Sequence, residues 1–276
     1  MTKVVAGIVT YNPNLEQLKQ VVEAIKNQVE EIVIVDNASN NLVNIKSNFQ
    51  NLTIIPLSTN LGIAAALNKI NQFAINYKAD WVITLDQDSI VNDNIVSTYF
   101  EYLRKIPSYQ QKVGAINSQY EVKDVYVKKT NRVVEDLDVI TSGLLTNVSA
   151  IKNGISYDET MFIDLVDFDF NHLLNSYGYM VLRAPFVGYQ HELGNNVKRV
   201  RFFTKQISVI DYSQFRIFYQ WRNLFYFYRK WHTSKYFLSF SKQTVKRLIY
   251  DDNRLGQVGA ILKGIWAGSR VSIKRK

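Results

Sequence analysis

The chain has 276 residues, 47% of them hydrophobic: enough for one large domain or a domain with an appendage, and too apolar for a disordered chain. It has no cysteine, which excludes disulfides and thiolate metal sites and fits a reducing cytoplasm. The net charge of +9 divides unevenly, with −6 over residues 1–197 and +15 over 198–276, so an acidic body precedes a basic tail suited to an anionic partner.

Residues 3–11, KVVAGIVTY, predict a buried strand, ended by Asn12-Pro13-Asn14 too soon for a signal peptide. No stretch of the chain has the length and apolarity of a transmembrane helix. A helix is expected from Leu15 to Gln28, with Leu15, Leu18, Val22 and Ile25 on one side. EIVIVDN, 31–37, is a second strand ending in Asp36, followed by a polar turn from Asn37 to Asn41. LTIIPL, 52–57, is a third. A turn containing Gly62 opens into an alanine-rich helix, and DWVITLDQD, 80–88, is the fourth strand. Strands alternating with helices imply βαβ units and a mainly parallel sheet.

In such sheets ligands sit at the carboxyl ends of the strands. Tyr11-Asn12, Asp36-Asn37 and Asp86-Gln87-Asp88 all fall there. Asp36 suits the ring N–H of a pyrimidine or a ribose hydroxyl; the other reading is a turn cap. On an extended backbone Asp86 and Asp88 would point to one face, where two carboxylates repel unless a hard cation joins them. A cation there in turn suits a phosphate. Two solvated aspartates are the plainer reading. No glycine-rich phosphate loop is present, which argues against P-loop and dinucleotide enzymes.

Further on, a helix is expected over Asp93 to Lys105, a strand over 113–120, and an exposed hairpin or loop over 121–138. Ser142-Gly143 would let backbone approach a ligand, or make an ordinary bend. A helix should run from Val166 to Gly178. Asp164, Asp167 and Asp169 lie there beside Phe162, Phe168 and Phe170; partial desolvation would raise their basicity and suit a general base, while aspartates in a first turn also favour the helix dipole. His191 follows the strand YMVLRAP and could reach the metal site, or be structural.

The tail is aromatic and basic. Residues 206–233 read as a helix packed on the body. Leu255, Val258, Ile261, Leu262, Ile265 and Trp266 fall on one face of a later segment, near Lys263, Arg270, Lys274, Arg275 and Lys276. Such a face suits an anionic membrane surface, a packed helix pair or a homodimer contact.

Eight motifs in order, IVTYN, IVDNAS, NLGIAAALN, TLDQDS, TSGLL, FIDLVDFDF, YGYMVLRAP and HELG, resemble the family-2 glycosyltransferases, and the D-Q-D and FIDLVD spellings resemble their bacterial rhamnosyltransferase branch. The resemblance covers about residues 3–230. It implies the GT-A fold, a Rossmann-like α/β architecture with a mainly parallel mixed sheet flanked by helices. The catalytic domain would span 1–205, and a basic α-helical extension 206–276. It also implies that Thr10, Tyr11, Asn12 and Asp36 contact the nucleoside and that Asn60, Gly62 and Asn68 line its pocket. Asp86, Gln87 and Asp88 would be the D-x-D motif, with Asp86, Asp88 and His191 holding Mn²⁺ or Mg²⁺. Asp167 takes the place of the base of an inverting transfer, although Val166 stands where that family often has glutamate. Ser142, Gly143, Asp164, Arg216, Arg222 and Asn223 would fall on the acceptor side.

The donor implied is dTDP-rhamnose, with a UDP-hexose or UDP-galactofuranose as the alternative. The acceptor is a glycan or lipid-linked glycan for cell-surface polysaccharide, met at the cytoplasmic face of the membrane. Two other readings fit less well. A nucleic-acid binder would use the +15 tail, which has no recognition motif, and the acidic strand ends oppose a phosphate backbone. A nucleotidyltransferase would want a glycine-rich basic loop where VTYNPN stands.

Overall fold

Strands buried on both faces need side chains that are apolar throughout rather than alternating. β1 (Val4–Thr10) is such a strand. The computed structural model describes residues 2–106, 112–122, 129–191, 197–202, 205–210, 212–250 and 253–273. Its contacts divide the chain into two units, Met1–Phe162 with Val166–Glu192, and Ile163–Leu165 with Leu193–Lys276.

In the first unit β1 lies parallel to β2 (Glu31–Asp36) on one side and β4 (Trp81–Asp86) on the other, and β3 (Thr53–Pro56) extends the parallel run beyond β2. Helices α1 (Leu15–Ile25), α2 (Leu42–Asn48) and α3 (Ile63–Asn76) make the crossovers. Val4, Ala6 and Ile8 of β1 join one core with Leu18, Val21, Val22 and Ile25 of α1 and with Ile95 and Tyr99 of α4 (Ile95–Arg104). The other face of β1 meets α3, where Ile70 occupies the space a side chain at Gly7 would need.

Beyond β4 the sheet becomes mixed. β8 (Leu144–Asn147) is antiparallel to both β4 and β6 (Val113–Val122), and β9 (Met180–His191) is parallel to β6. β5 (Ile90–Val91) and β7 (Val134–Glu135) each pair antiparallel with β9. Among the described residues the main path runs β3-β2-β1-β4-β8-β6-β9-β5. Two short helices, α5 (Val148–Lys152) and α6 (Val166–Ser176), complete the unit.

Three local expectations change. α1 stops at Ile25, and α2, which buries only Ile45, has too short an apolar face to be legible. The segment expected as an exposed hairpin or loop is in part tied down: residues 123–128 lie outside the described residues, but β7 pairs with β9, and Asn171 of α6 donates to the Leu137 and Val139 carbonyls. Arg183 pairs with Asp136 at 2.7 Å. The strand YMVLRAP does not end at Pro185. β9 runs on to His191, with a register shift against β6 between the pairs Asn117/Arg183 and Gln119/Val187, so the proline sits at an irregularity where no ladder N–H is needed.

The second unit starts with a hairpin of β10 (Val197–Phe202) and β11 (Lys205–Ile210), where residues 206–210 were expected as helix; their β-branched side chains favour the strand. Three helices follow, α7 (Gln214–Trp231), α8 (Phe237–Tyr250) and α9 (Arg254–Arg270). Ser213 caps α7, and His232 ends it in the left-handed region at φ 54°. Buried Arg247 of α8 donates to Gln220 of α7. α9 packs on α7 through small residues: a Cβ on Gly264 would lie 2.5 Å from the Phe218 carbonyl, and one on Gly268 would collide with that of Arg222. No helix of the described residues is long and apolar enough to cross a membrane.

Because the obstacle at Gly268 is backbone, Gly268→Val should lower the stability of the second unit by about 1–3 kcal/mol. Thermal unfolding followed by circular dichroism measures it; an unchanged midpoint would mean that α7 and α9 do not approach this closely.

Candidate active site

Register collects the first polar groups. Thr10 pairs with Asp36 across β1 and β2, and Val9 pairs with Asp86 across β1 and β4. Three strands therefore end within one residue of each other, and their last residues are Thr10, Asp36 and Asp86. Asp36 is fully buried. Its carboxylate accepts from the Thr10 hydroxyl at 2.9 Å, the Ser39 N–H at 2.9 Å and the Ser39 hydroxyl at 2.5 Å. Expected to face a nucleoside, Asp36 is instead occupied with shaping the loop after β2.

That loop is laced to its neighbours. Asn12, left-handed at φ 47°, donates its N–H to the Ser39 hydroxyl at 2.7 Å, and its side-chain oxygen accepts from Asn40 N–H at 2.8 Å. Asn37 accepts from Leu61 N–H at 2.9 Å, and Asn60 accepts from Gly62 N–H at 3.0 Å. Gly62 has φ 87°, and a Cβ there would strike the Phe162 backbone, whose carbonyl accepts from Ile63 N–H. The Tyr11 side chain is left exposed while its N–H donates to the Gln87 side chain at 2.8 Å. Asn68 was expected at the nucleotide pocket. Its amide instead bonds both N–H and carbonyl of Tyr157 and the Glu159 carboxylate.

The D-Q-D motif is a turn, not an extended strand. β4 stops at Asp86, and Ser89 N–H donates back to the Asp86 carbonyl at 3.3 Å. Strand alternation therefore does not relate Asp86 to Asp88. Ser142 and Gly143, expected beside an acceptor, support this turn: the Ser142 hydroxyl accepts from Asp86 N–H at 3.2 Å, and Gly143 N–H donates to the Thr84 carbonyl at 2.8 Å. Gly143 sits at φ 72°, where a Cβ would press into the Tyr189 ring. The pairing Ile90–Gln190 brings His191, the last residue of β9, level with Ser89 in the backbone ladder. The His191 side chain and residues 192–194 lie outside the described residues.

Asp167 stands in the first turn of α6, half-buried, and Asp169 is fully buried. Two stacked tyrosines feel the charges of Asp86 and Asp167. Tyr120 of β6 and Tyr189 of β9 are register partners with stacked rings, 5.5 Å between centroids. Burial pushes the Tyr189 hydroxyl well above the ordinary tyrosine range, and the neighbouring phenols and the Asp86 charge push the same way. Burial also raises Tyr120, with Arg183 opposing and Asp167 adding to the rise. Asp86 thus lies within electrostatic reach of one ring and Asp167 of the other. Tyr157, stacked on Phe170 at 4.0 Å, is raised by burial and again by Asp167. Sequence reading missed Ser39, Tyr120, Tyr157 and Tyr189. Ser39 stands in the expected polar turn, but nothing in the tyrosines' spacing marks them.

In the second unit Asp164 and Arg216 form a two-pronged ion pair, at 3.1 and 3.3 Å. Arg222 donates to the Asn223 side-chain oxygen at 2.7 Å, and Asn223, fully buried, donates to the Ile163 and Asp164 carbonyls. Asp164 and Leu165 are both left-handed, at φ 65° and 63°. The Arg-Asn pair expected on the acceptor side therefore braces a strained turn.

Among the described residues no three His, Cys, Asp or Glu side chains gather into a metal-holding group. Asp86 and Asp88 supply two carboxylates. That donor set fits Mg²⁺ or Mn²⁺, hard cations that keep waters and are held through one or two carboxylates plus substrate phosphates. A cavity of about 1180 Å³ opens elsewhere, lined by Val4, Asp80, Trp81 and Asn147; Val4 and Trp81 begin β1 and β4, so it lies at the opposite end of the strands from the D-Q-D turn.

Residues 6–135 match the model of glycosyl transferase family 2. The chain is similar to the dTDP-rhamnosyl transferase RfbF of Shigella flexneri, at 26% identity over 245 residues covering 84% of this chain and 81% of that protein. Among solved structures it is similar to S. aureus TarS 1-349 in complex with UDP, with a TM-score of 0.58, 13% identity, and 96% of this chain and 71% of that one covered. The UDP-GlcNAc complex of the same TarS fragment matches at a TM-score of 0.58 and 14% identity, over 96% and 72% of the two chains. GalNAc-T7 with UDP, GalNAc and Mn²⁺ matches at 0.60 and 15%, covering 97% of this chain and 56% of that one. At these identities the structural likeness shows the fold, which is GT-A.

Replacing Asp36 would strand the buried Thr10 hydroxyl and Ser39 N–H. Asp36→Ala should cost on the order of 2–4 kcal/mol in chemical denaturation. A loss under about 0.5 kcal/mol would show that the carboxylate does not anchor the loop.

Proposed function

We propose that this chain, a glycosyltransferase with family-2 character over residues 6–135, transfers a sugar with inversion from a nucleotide diphosphate donor to a hydroxyl of a glycan or lipid-linked glycan. The observation that carries the reading is the aromatic pair Tyr120–Tyr189. The charge of Asp86, at the D-Q-D turn, acts on the Tyr189 phenol, and that of Asp167, on a different element, acts on the Tyr120 phenol. A sugar transfer needs a leaving-group site and a base held apart by about the width of the reacting sugar.

Tyr11, Asn12 and the Asn60–Gly62 turn take the nucleoside and ribose. Asp36 and Thr10 act by holding the loop around them, and Gln87 fixes the strand ends against each other. Asp86 and Asp88 would hold Mg²⁺ or Mn²⁺, with His191 as a third donor from the end of β9. When bound, the cation offsets negative charge on the donor's diphosphate. Asp167 accepts the proton of the acceptor hydroxyl. The freed oxygen lone pair forms the new bond to the anomeric carbon from the side opposite the diphosphate, whose C–O bond breaks with its electrons leaving on the phosphate oxygen. Burial holds the Tyr120 and Tyr157 hydroxyls above the ordinary tyrosine range, and the Asp167 charge adds to both.

The relative of known donor favours dTDP-rhamnose. A UDP-hexose or UDP-galactofuranose is the second reading, since the TarS complexes hold UDP and UDP-GlcNAc. The acceptor we assign is a cell-surface polysaccharide intermediate met at the cytoplasmic face of the membrane.

Asp167→Asn should bind donor as the parent does in a thermal-shift titration and transfer roughly 10²–10⁴-fold more slowly. Transfer at the parent rate would remove Asp167 from the role of base. Stripping divalent cations with a chelator should abolish transfer, and Mn²⁺ or Mg²⁺ should restore it; full activity in the chelator would exclude the cation from the mechanism.

A further inference from the structure

Helix α9 has two unlike sides. Turning about 100° per residue, Gln257, Ala260, Gly264 and Gly268 share one side, and all four are buried. Leu255, Val258, Leu262 and Trp266 share the opposite side, with exposures of 89, 39, 62 and 59%. Large apolar side chains usually turn inward and small ones are indifferent, so this helix inverts the ordinary pattern. Sequence analysis puts Ile261 and Ile265 on the same stripe; both are only half-exposed, leaving the outward row narrower than expected.

Cations border that row. Lys263 and Arg270 lie on its flank, both exposed, and the Arg270 guanidinium stacks over the Trp266 ring at 4.3 Å. α8 repeats the chemistry: Leu238, Val245 and Ile249 are exposed, with Lys242 and Lys246 exposed among them. Across α8 and α9 there are six Lys and Arg and no Asp or Glu.

We infer that the outward side of α9, supported by that of α8, is a docking surface for an anionic lipid bilayer, with Leu262 and Trp266 entering the headgroup boundary and Lys263 and Arg270 meeting lipid phosphates. An apolar row with flanking cations is the pattern of a helix lying in a membrane interface. Tryptophan is favoured at that depth, and each cation near a negative leaflet adds to attraction. Charge chooses between lipid and a second copy. Self-association through this side would bring the exposed Lys242, Lys246, Lys263 and Arg270 against their own copies, whereas an anionic leaflet complements them. The inference depends on neither the donor nor the base assigned above.

The test is flotation of the full chain with vesicles of phosphatidylcholine, with and without phosphatidylglycerol. The chain should float with the anionic vesicles and roughly tenfold less with the neutral ones. Leu262→Glu with Trp266→Glu, and separately Lys263→Glu with Arg270→Glu, should each cut anionic partition roughly tenfold or more. Slow hydrolysis of the donor in solution should be unchanged in both, which separates loss of docking from loss of the enzyme. Equal flotation with both vesicle types overturns the inference, as does binding that neither pair of substitutions weakens. So does a shift from dimer to monomer in ultracentrifugation on Leu262→Glu with Trp266→Glu while vesicle binding persists, which would make the row a contact between copies. Should the first pair impair folding, the charge pair and high-salt release of the parent chain decide.

Discussion

A carboxylate shut away from water is costly unless donors fill its lone pairs, and the buried Asp36 is where this protein meets that constraint. Two hydroxyls and one N–H answer it, all from Thr10 and Ser39. The Ser39 hydroxyl, which donates to Asp36, accepts from Asn12 N–H. One satisfied anion thereby joins the loop after β1 to the loop after β2, and Asn37 extends the chain of bonds to the turn before α3. The exposed groups at this end of the sheet stand on a foundation that already has its partners, which is what a preorganised site requires.

Elsewhere in the first unit the organising contacts are rings. Tyr99 donates to the Gly143 carbonyl, Gly143 leaves room for Tyr189, and Tyr189 carries Tyr120. The stack ties β9 to β6 next to the turn that Gly143 supports. Aromatic pairs keep fixed geometry with few rotatable bonds, so packing fixes where these two strands meet.

Much of this was legible because its cause is local. Unbroken runs such as VVAGIVT and EIVIVD read as buried strands, and parallel strands end at one edge of the sheet, so Tyr11-Asn12, Asp36-Asn37 and Asp86-Gln87-Asp88 were placed together. The reasons for their placement were less legible. Asp36 looked like a ligand contact because its three donors come from residues 3 and 26 positions away. Asn68 looked like a pocket residue, yet serves a loop 89 residues on. The tyrosine stack is a product of β6–β9 register, which includes shifts that no period announces. In the tail, helical spacing put Leu255, Val258, Leu262 and Trp266 of α9 in one row together with the half-buried Ile261 and Ile265, and left open which way the row faces. Glycine wrote no hydrophobic signal for the side that packs.

That seam between α7 and α9 has an evolutionary meaning. Where backbone touches backbone, any added carbon is a collision, so drift at Gly264 and Gly268 is closed. Drift at Leu255, Val258, Leu262 and Trp266 is freer, because their side chains face outward. A lineage could exchange those four side chains, and with them the character of this outward surface, while the seam behind it stays as inherited.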